Sequence, residues 1–432
     1  MNSAYEIITA SLASSSFLGS IRELFDDSEI SFYVPESTTK ITRKVFDGFI
    51  TLIGTIEGQK VGLVYNDFRS FGSSAGESNS HRVCSFIEYL EGLSIPLIYL
   101  SNSMGVRVQD GRNVFKNSFS IIPKIKSFTQ KNLYITASLG HTLGLSAVLY
   151  SLGHYRYALD GKCKFNLTGP EVFKLFFGNN LSFEKACNEK VLQEETLLVQ
   201  EIVTDQNQLF LSIKKLINKN QKIIELQEDE NLSEQMNFID ENSLEVFSQF
   251  GKSIKTKIIN TKSGRKGLII NPYNKPNMIT VKDIDKYMMA LDLFEKLKLP
   301  IFSLVDTAGG DPRVEENNQN IARKLYDLSC KIIDYPYRKQ GIIIGRCFGG
   351  SSILSMPVFF GGEKSLLVKG AQIGIMSDKI IKQLLAATPQ MLKTWEENKE
   401  RETEDYKDLI EDGVLERVIL PSELVKYITN EY

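Results

Sequence analysis

"KLPIFSLVDTAGGDPR", residues 298–313, is a nearly continuous apolar run that breaks into a Gly-Gly turn. The part "LPIFSLVDT" (299–307) reads as a strand. A strand that ends at two glycines brings backbone N–H groups to the surface at one point. There they can meet a phosphate, a developing oxyanion, or nothing but a tight turn. A counterpart stands roughly 205 residues earlier, "IPLIYLSNS" (95–103) followed by the polar turn "MGVRVQDG".

The neighbours of these two stretches repeat as well. In the first half, "KVGLVYNDF" (60–68) predicts a strand, and Phe86, Tyr89, Leu90 and Leu93 give a helical apolar face at i, i+3, i+4, i+7 spacing. After "IPLIYLSNS" come a helix, a strand "LYITASL" (133–139), a glycine-bearing turn "GHTLGLS", a second helix, and a pair of short strands in "YRYALDGKCKFNLTG". In the second half, "KGLIINPY" (266–273) predicts the strand, with Ile284, Tyr287, Met288, Leu291 and Phe294 on one helix face. "LPIFSLVDT", a helix from about Val314, the strand "GIIIGRCF" (341–348), the turn "GGSS" and "KSLLVKGAQIGIM" (364–376) complete it. Elements in the same order, a domain's length apart, indicate a duplicated domain. The polar stretch "INKNQKIIELQEDENLSEQ" (217–235) reads as a flexible linker or a bridging helix, and places the domains at 1–235 and 236–432. Strands alternating with helices give an α/β class, compatible with a doubly wound sheet and equally with a right-handed spiral of ββα units.

With 432 residues, 42% hydrophobic and 24% charged, the chain has the composition of an ordinary globular protein and is too long for one typical core. A net charge of −2 and a pI near 6.1 give no electrostatic case for nucleic acid or an anionic membrane. Cys84, Cys163, Cys187, Cys330 and Cys347 are scattered singly, which predicts neither a zinc ribbon nor a disulfide framework and fits a reducing cytosol. The N-terminal "MNSAYEIITASLASSSFLGSIRELF" lacks a basic n-region, so no signal peptide is expected. No apolar run approaches the roughly 20 residues of a membrane helix, and the expected location is cytoplasmic.

The phosphate reading of the glycine turns weakens on inspection. A P-loop needs GxxxxGK[ST], and no such lysine follows Gly309-Gly310 or Gly349-Gly350. The dinucleotide fingerprint GxGxxG is absent after the first strand. An oxyanion hole is the alternative: two N–H donors aimed at one point, with small residues that let a thioester carbonyl approach. "FGGSS" (348–352) has this form, and "LGLS" (143–146) is its counterpart. The plainer reading is that these glycines only let a helix pack against a strand.

At these residues the chain resembles the carboxyltransferase (β) subunits of biotin-dependent acyl-CoA carboxylases, the propionyl-CoA carboxylase β-like members of the crotonase superfamily. "NDFRSFGSSAGESNSHRV" (66–83) is similar to the family's N-D-F-x-x-x-G-G-S-x-x-E-x-H, and "SNSMGVRVQDG" (101–111) to N-D-S-G-G-A-R-I-Q-E-G. "LTGPEVFK" (167–174), "VDTAGGDP" (305–312) and "RCFGGSS" (346–352) resemble V-T-G-P-x-V-V-K, D-x-P-G-x-x-P and K-A-Y-G-G-A-Y. The resemblance implies two tandem crotonase-like domains, each a spiral of repeated ββα units, the first binding an acyl-CoA and the second carboxybiotin, with the active site between domains of two subunits. It implies a carboxyl transfer between carboxybiotin and an acyl thioester, on CoA or a carrier protein, through an enolate held by oxyanion holes. Carried across, one hole falls at Gly144-Leu145 and the other at Gly350-Ser351. The substrate-binding turns carry Met104, Gly105, Val106 and Arg107 on one side, with His141 and Ser146, and Ala308, Gly309, Gly310 and Arg313 on the other. No metal is implied, and biotin N1 can take the α-proton itself. The implied partners are a biotin carboxylase and a biotin carboxyl carrier protein (or an acyl carrier protein), since no A-M-K-M-type biotinylation site occurs here, together with a homo-oligomer, a dimer or a trimer of dimers.

The chain departs from the family pattern at Met104, at Leu145 and at Ala308. A leucine N–H can donate, but its side chain narrows the approach unless it turns away. These departures keep two other functions open, a biotin-independent crotonase-type decarboxylase or acyl-thioester enzyme and a non-catalytic scaffold. Among single residues, His141 reads as a general base or a hydrogen-bonded turn histidine, and His81 as a helix-packing residue. Arg107 and Arg313 read as anion ligands or surface ion pairs, Cys347 as a nucleophile or a buried small residue. The charge run "ENKERETEDYKD" (397–408) reads as a solvated helix face.

Overall fold

The computed structural model describes residues 21–26, 30–33, 48–113, 118–219, 223, 229–275, 277–401 and 406–429. The stretch read for a signal peptide lies almost wholly outside these residues, as do parts of the 217–235 segment and of the charge run. The chain forms two compact units, Met1–Asn220 and Gln221–Tyr432. The boundary expected at 235 falls inside the helix Leu232–Glu241, whose Leu232, Met236 and Ile239 lie in the second unit's core.

In the first unit the strands are β1 (Ser31–Phe32), β2 (Phe49–Ile56), β3 (Gln59–Asn66), β4 (Leu97–Ser103), β5 (Tyr134–Leu143), β6 (Tyr155–Leu159), β7 (Lys164–Asn166) and β8 (Glu201–Val203). They form one sheet in the order β1-β2-β3-β4-β5-β6-β8, with β7 also pairing with β5. The second unit holds β9 (Ser243–Val246), β10 (Lys255–Thr261), β11 (Gly264–Ile270), β12 (Ile301–Thr307), β13 (Lys339–Phe348), β14 (Ser365–Val368), β15 (Gln372–Gly374) and β16 (Leu415–Ile419). Its order, β9-β10-β11-β12-β13-β14-β16 with β15 on β13, copies that of the first. In both, an antiparallel hairpin (β2–β3, β10–β11) leads into parallel strands. The expected duplication and α/β class are therefore found, as two units with the same strand order.

Sequence chemistry explains the elements. The β2–β3 hairpin turns at Glu57 and Gly58, both at positive φ (50° and 75°), the conformation that suits the right-handed twist of a two-residue connection. Strands β4 and β12 are buried along almost their whole length, because helices cover the parallel part of each sheet. The helices Glu77–Gly92 and Val281–Lys296 begin alike: Gly76 N–H donates to Asn79 Oδ1 (2.7 Å) and Thr280 N–H to Asp283 Oδ2 (2.9 Å). Each also buries one cation against main-chain carbonyls, Arg82 on Phe49 O and Lys286 on Phe250 O and Gly251 O. Burial pushes the Lys286 ammonium down to about 8.

Local differences from the sequence reading have simple causes. Tyr89 and Leu93 point to solvent, and the buried face of their helix is Val83, Phe86, Ile87 and Leu90. Strand β5 continues four residues beyond the expected end, so His141 lies on a strand and not in a turn. No helix among the described residues is long and apolar enough to cross a membrane.

Candidate functional site

Each unit carries the same irregularity where its two central strands end. On β4 and β5, Ser101 pairs with Ser138 but Ser103 with Thr142; on β12 and β13, Val305 pairs with Ile343 but Thr307 with Cys347. The extra residues form a bulge, and one polar side chain fills it. Asn102 Oδ1 accepts the His141 N–H (3.0 Å), and Asp306 Oδ1 accepts the Arg346 N–H (2.9 Å). The residue beside each carbonyl group must be glycine: a Cβ on Gly140 would lie 2.7 Å from Asn102 Oδ1, and one on Gly345 2.5 Å from Asp306 Cγ.

Past the bulge, two turns face each other in each unit. The first follows β4 or β12. Met104 N–H donates to Gly72 O (2.9 Å) and Ala308 N–H to Asn277 O (3.0 Å). Ser103 Oγ accepts from Gly105 N (3.1 Å), and Thr307 Oγ1 accepts from Gly309 N (3.2 Å). Arg107 and Asp311 donate their N–H groups to Ala75 O and Ile279 O. The N–H groups of this turn are largely spent on its own scaffold, so it forms a wall.

The second turn follows β5 or β13 and opens a helix, Leu145–Ser151 in the first unit and a 3₁₀ segment, Gly349–Ser355, in the second. Gly144 and Gly349 hold φ of 55° and 58°, and they are each other's counterparts. The repeat therefore sets Leu145 opposite Gly350. Leu145 is the first helical residue, and its N–H has no acceptor within the helix. Its side chain turns inward and packs in the first unit's core, 4% exposed, so it leaves the approach to that N–H clear. At Gly350 a Cβ would meet nothing within 4 Å, so the second turn stands open. The two turns of the first unit touch: a Cβ on Gly105 would lie 2.8 Å from Leu143 O and 3.2 Å from the Gly144 Cα.

The remaining candidates fall into place around these turns. Met104 is exposed and lies over Gly72, while Val106 is half-buried and bridges to Ala75. Arg107 stacks on Phe71 (4.8 Å) and donates to Ser74 Oγ and O, which ties it to its own loop. Arg313 is exposed and clasps Asp311, with Nε to the carboxylate at 2.9 and 3.0 Å. Ala308 and Gly310 are exposed at the second unit's wall. His141 stacks on Phe68 (5.0 Å, 18°), and burial together with Lys164 holds its imidazole below the usual histidine range. Ser146 is buried under the turn, bonded to Tyr99 OH (2.9 Å) and Ser101 Oγ (2.7 Å). His81 faces solvent, and the Cys347 thiol is buried and pushed up to about 12, which suits packing rather than attack. Among the described residues no group of three or more His, Cys, Asp or Glu could hold a metal ion.

Sequence reasoning missed the residues that hold the turns. Asp306 forms an ion pair with Arg346 (2.8 Å), and its other oxygen accepts from Asn274 N (2.7 Å). The signal was available: a polar residue at the end of an apolar strand, Asn102 in "LSNS" and Asp306 in "LVDT".

A family model described as a carboxyl transferase domain matches residues 22–250. The chain is 20% identical over 426 residues to a putative propionyl-CoA carboxylase beta chain of Bacillus subtilis, covering 91% of this chain and 84% of that one. It is 20% identical over 359 residues to the methylmalonyl-CoA decarboxylase subunit alpha of Propionigenium modestum, covering 76% and 69%. A solved transcarboxylase 12S structure with methylmalonyl-coenzyme A and methylmalonic acid bound superposes with a TM-score of 0.82 at 18% identity, covering 97% of this chain and 89% of that one.

Proposed function

The chain belongs to the carboxyl transferase domain family, and from that premise we propose that it moves a carboxyl group between carboxybiotin and an acyl thioester. The observation that carries this reading is the repeated turn: at equivalent strand ends a positive-φ glycine, Gly144 or Gly349, is followed by Leu145 or Gly350 in the first turn of a helix, where N–H groups lack an intrahelical acceptor. Transfer of this kind generates charge twice, once on a thioester oxygen and once on a ureido oxygen, and fixed N–H donors suit each. In the first unit, taken as the acyl side, the Leu145 N–H holds the enolate oxygen, while the Gly144 N–H expected beside it is spent on Asn166 O (2.8 Å) and serves only to set the turn. In the second unit, taken as the biotin side, the Gly350 and Ser351 N–H groups hold the ureido oxygen, in the space left open beyond Gly350. Carboxybiotin, when bound, supplies the carboxyl group and a ureido nitrogen able to take the α-proton. His141, kept neutral by burial and by Lys164, adds no positive charge beside the acyl-side turn. We assign as partners a biotin carboxylase and a biotinylated carrier protein, and as assembly a homo-oligomer.

Incubating the chain with labelled malonyl- and methylmalonyl-type thioesters, on CoA and on carrier protein, together with a biotinylated carrier tests the proposal. Label is expected on the biotin. Its absence across the panel overturns the reading, and decarboxylation without biotin replaces it with a biotin-independent enzyme. Gly350→Val should cut the exchange about 10²-fold while leaving the melting temperature nearly unchanged, because the space it fills is open. Unchanged exchange in that variant removes the second turn from the chemistry.

A further inference from the structure

Beneath the acyl-side turn runs a line of five buried hydroxyls. Tyr99 OH bonds Ser146 Oγ (2.9 Å), Ser146 bonds Ser101 (2.7 Å), Ser101 bonds Thr142 (3.1 Å), and Thr142 bonds Ser138 (2.8 Å). Ser138 Oγ ends the line by donating to the Gly140 carbonyl (3.2 Å). All five residues are nearly inaccessible. The terminal carbonyl fixes the order of the protons. A carbonyl only accepts, so Ser138 donates to it, and each earlier hydroxyl then donates to the next, with Tyr99 at the head. A line of this kind polarises in one direction and is stiffer than its separate bonds.

The second unit shows that the fold does not need it. There the same bulge and the same positive-φ glycine are built with Val305, Ile343 and Cys347 in place of Ser101, Ser138 and Thr142. Those positions are apolar or a buried thiol, and an Asp306–Arg346 ion pair braces the bulge instead. A row of hydroxyls in a core is costly unless every member is satisfied, and an apolar replacement is available. What the first unit gains lies at the end of the line that touches the turn. Ser146 is the residue after Leu145, and its Oγ is held from two sides.

We propose that Tyr99, Ser101, Ser138, Thr142 and Ser146 are positioning residues that lock the Leu145 N–H in the direction the acyl-side oxyanion requires. This rests on the carboxyl-transfer reading for its catalytic consequence, but not for its structural one. The test uses the full chain with Ser101→Val, the residue of the second unit, Ser146→Ala, and Ser101→Thr as the conservative rescue. Amide hydrogen exchange is read on the peptide containing residues 143–147, with the peptide containing 348–352 as an internal control. Ser101→Val and Ser146→Ala should speed exchange of the first peptide about ten-fold and leave the second unchanged. In the label-transfer assay they should lower kcat about ten-fold with KM within about two-fold, and Ser101→Thr should restore both readouts. Unchanged protection of the first peptide overturns the proposal. So does faster exchange of both peptides, which would mark general loosening, and so does faster exchange with full kcat. Protection is read without substrate, so it decides the role of the hydroxyls even where the wild type moves no label, a result that would overturn the carboxyl-transfer reading instead.

Discussion

The two units share a backbone and differ in the chemistry placed on it. At the bulge of the first stand Asn102 and His141, both uncharged under neutral conditions; at the same place in the second stand Asp306 and Arg346, paired at 2.8 Å. The first unit's turns touch through Gly105 and Gly144, whereas in the second a Cβ on Gly309 would lie 3.7 Å from Phe348 O. Five linked hydroxyls run below one turn; below the other, Val305, Ile343 and Cys347 take the places of three of them, and Tyr287 OH pairs with Ser303 Oγ (3.2 Å). The difference teaches that one hydrogen-bond skeleton can be braced by either chemistry, a neutral amide in the first unit and an ion pair in the second.

The largest expected effect breaks the comparison at its tightest point. Gly105→Ala places a methyl group 2.8 Å from a carbonyl oxygen at φ +91°, and should cost about 3 kcal/mol of stability by denaturant titration. Gly309→Ala meets only ordinary contact at φ +128°, and should cost about 1 kcal/mol. Equal losses would mean that the two turns are not packed differently. A smaller effect sharpens it. Arg346→Ala leaves the buried Asp306 carboxylate with backbone donors alone and should cost about 2 kcal/mol, less than for a fully buried pair because Arg346 is 33% exposed. Converting the pair to the first unit's chemistry, Asp306→Asn with Arg346→His, should recover most of that loss.

The smallest effect is in pH. The His141 imidazole lies below its unfolded value, so the unfolded chain binds the proton more readily. Its contribution is therefore neutral at high pH, and stability falls as the pH drops through the unfolded histidine value near about 6.5. Replacing His141 with Gln should flatten the melting temperature between pH 7 and pH 5.5 by a small amount. A profile identical to the wild type would show that the ring's stacking on Phe68 does not desolvate it.

Much of the architecture was legible because burial leaves a plain trace. Strands β3, β4 and β5 and their counterparts are covered on both faces, and so they read as apolar runs about 205 residues apart. The partners β2 and β10 went unread, since "FITLIGTI" and "KTKIINT" mix threonine and glycine with their aliphatic residues and gain their strand character from pairing. The helix face built on Tyr89 and Leu93 failed because periodicity locates an apolar stripe without saying which of its edges meets the sheet. The segment at the expected boundary hides its core contacts in a related way: the helix Leu232–Glu241 looks polar in sequence, yet three of its residues enter the core. At the turns, the glycines were visible and the inward direction of Leu145 was not.

The sequence by itself determined the duplication, the α/β class, the position of the four glycine turns and the resemblance to the carboxyltransferase family. These are local or periodic properties, and a chain displays them without folding. Tertiary structure alone decided which N–H groups remain available, since the turn at Ala308 and Gly309 uses its donors on Asn277 and Thr307 while the one at Gly350 opens outward. It also decided that Tyr99, Ser101, Ser138, Thr142 and Ser146 form one line. They are spread over 48 positions of chain, 99–146, and hydrogen bonds between hydroxyls exist only where the fold brings oxygen atoms within about 3 Å of one another.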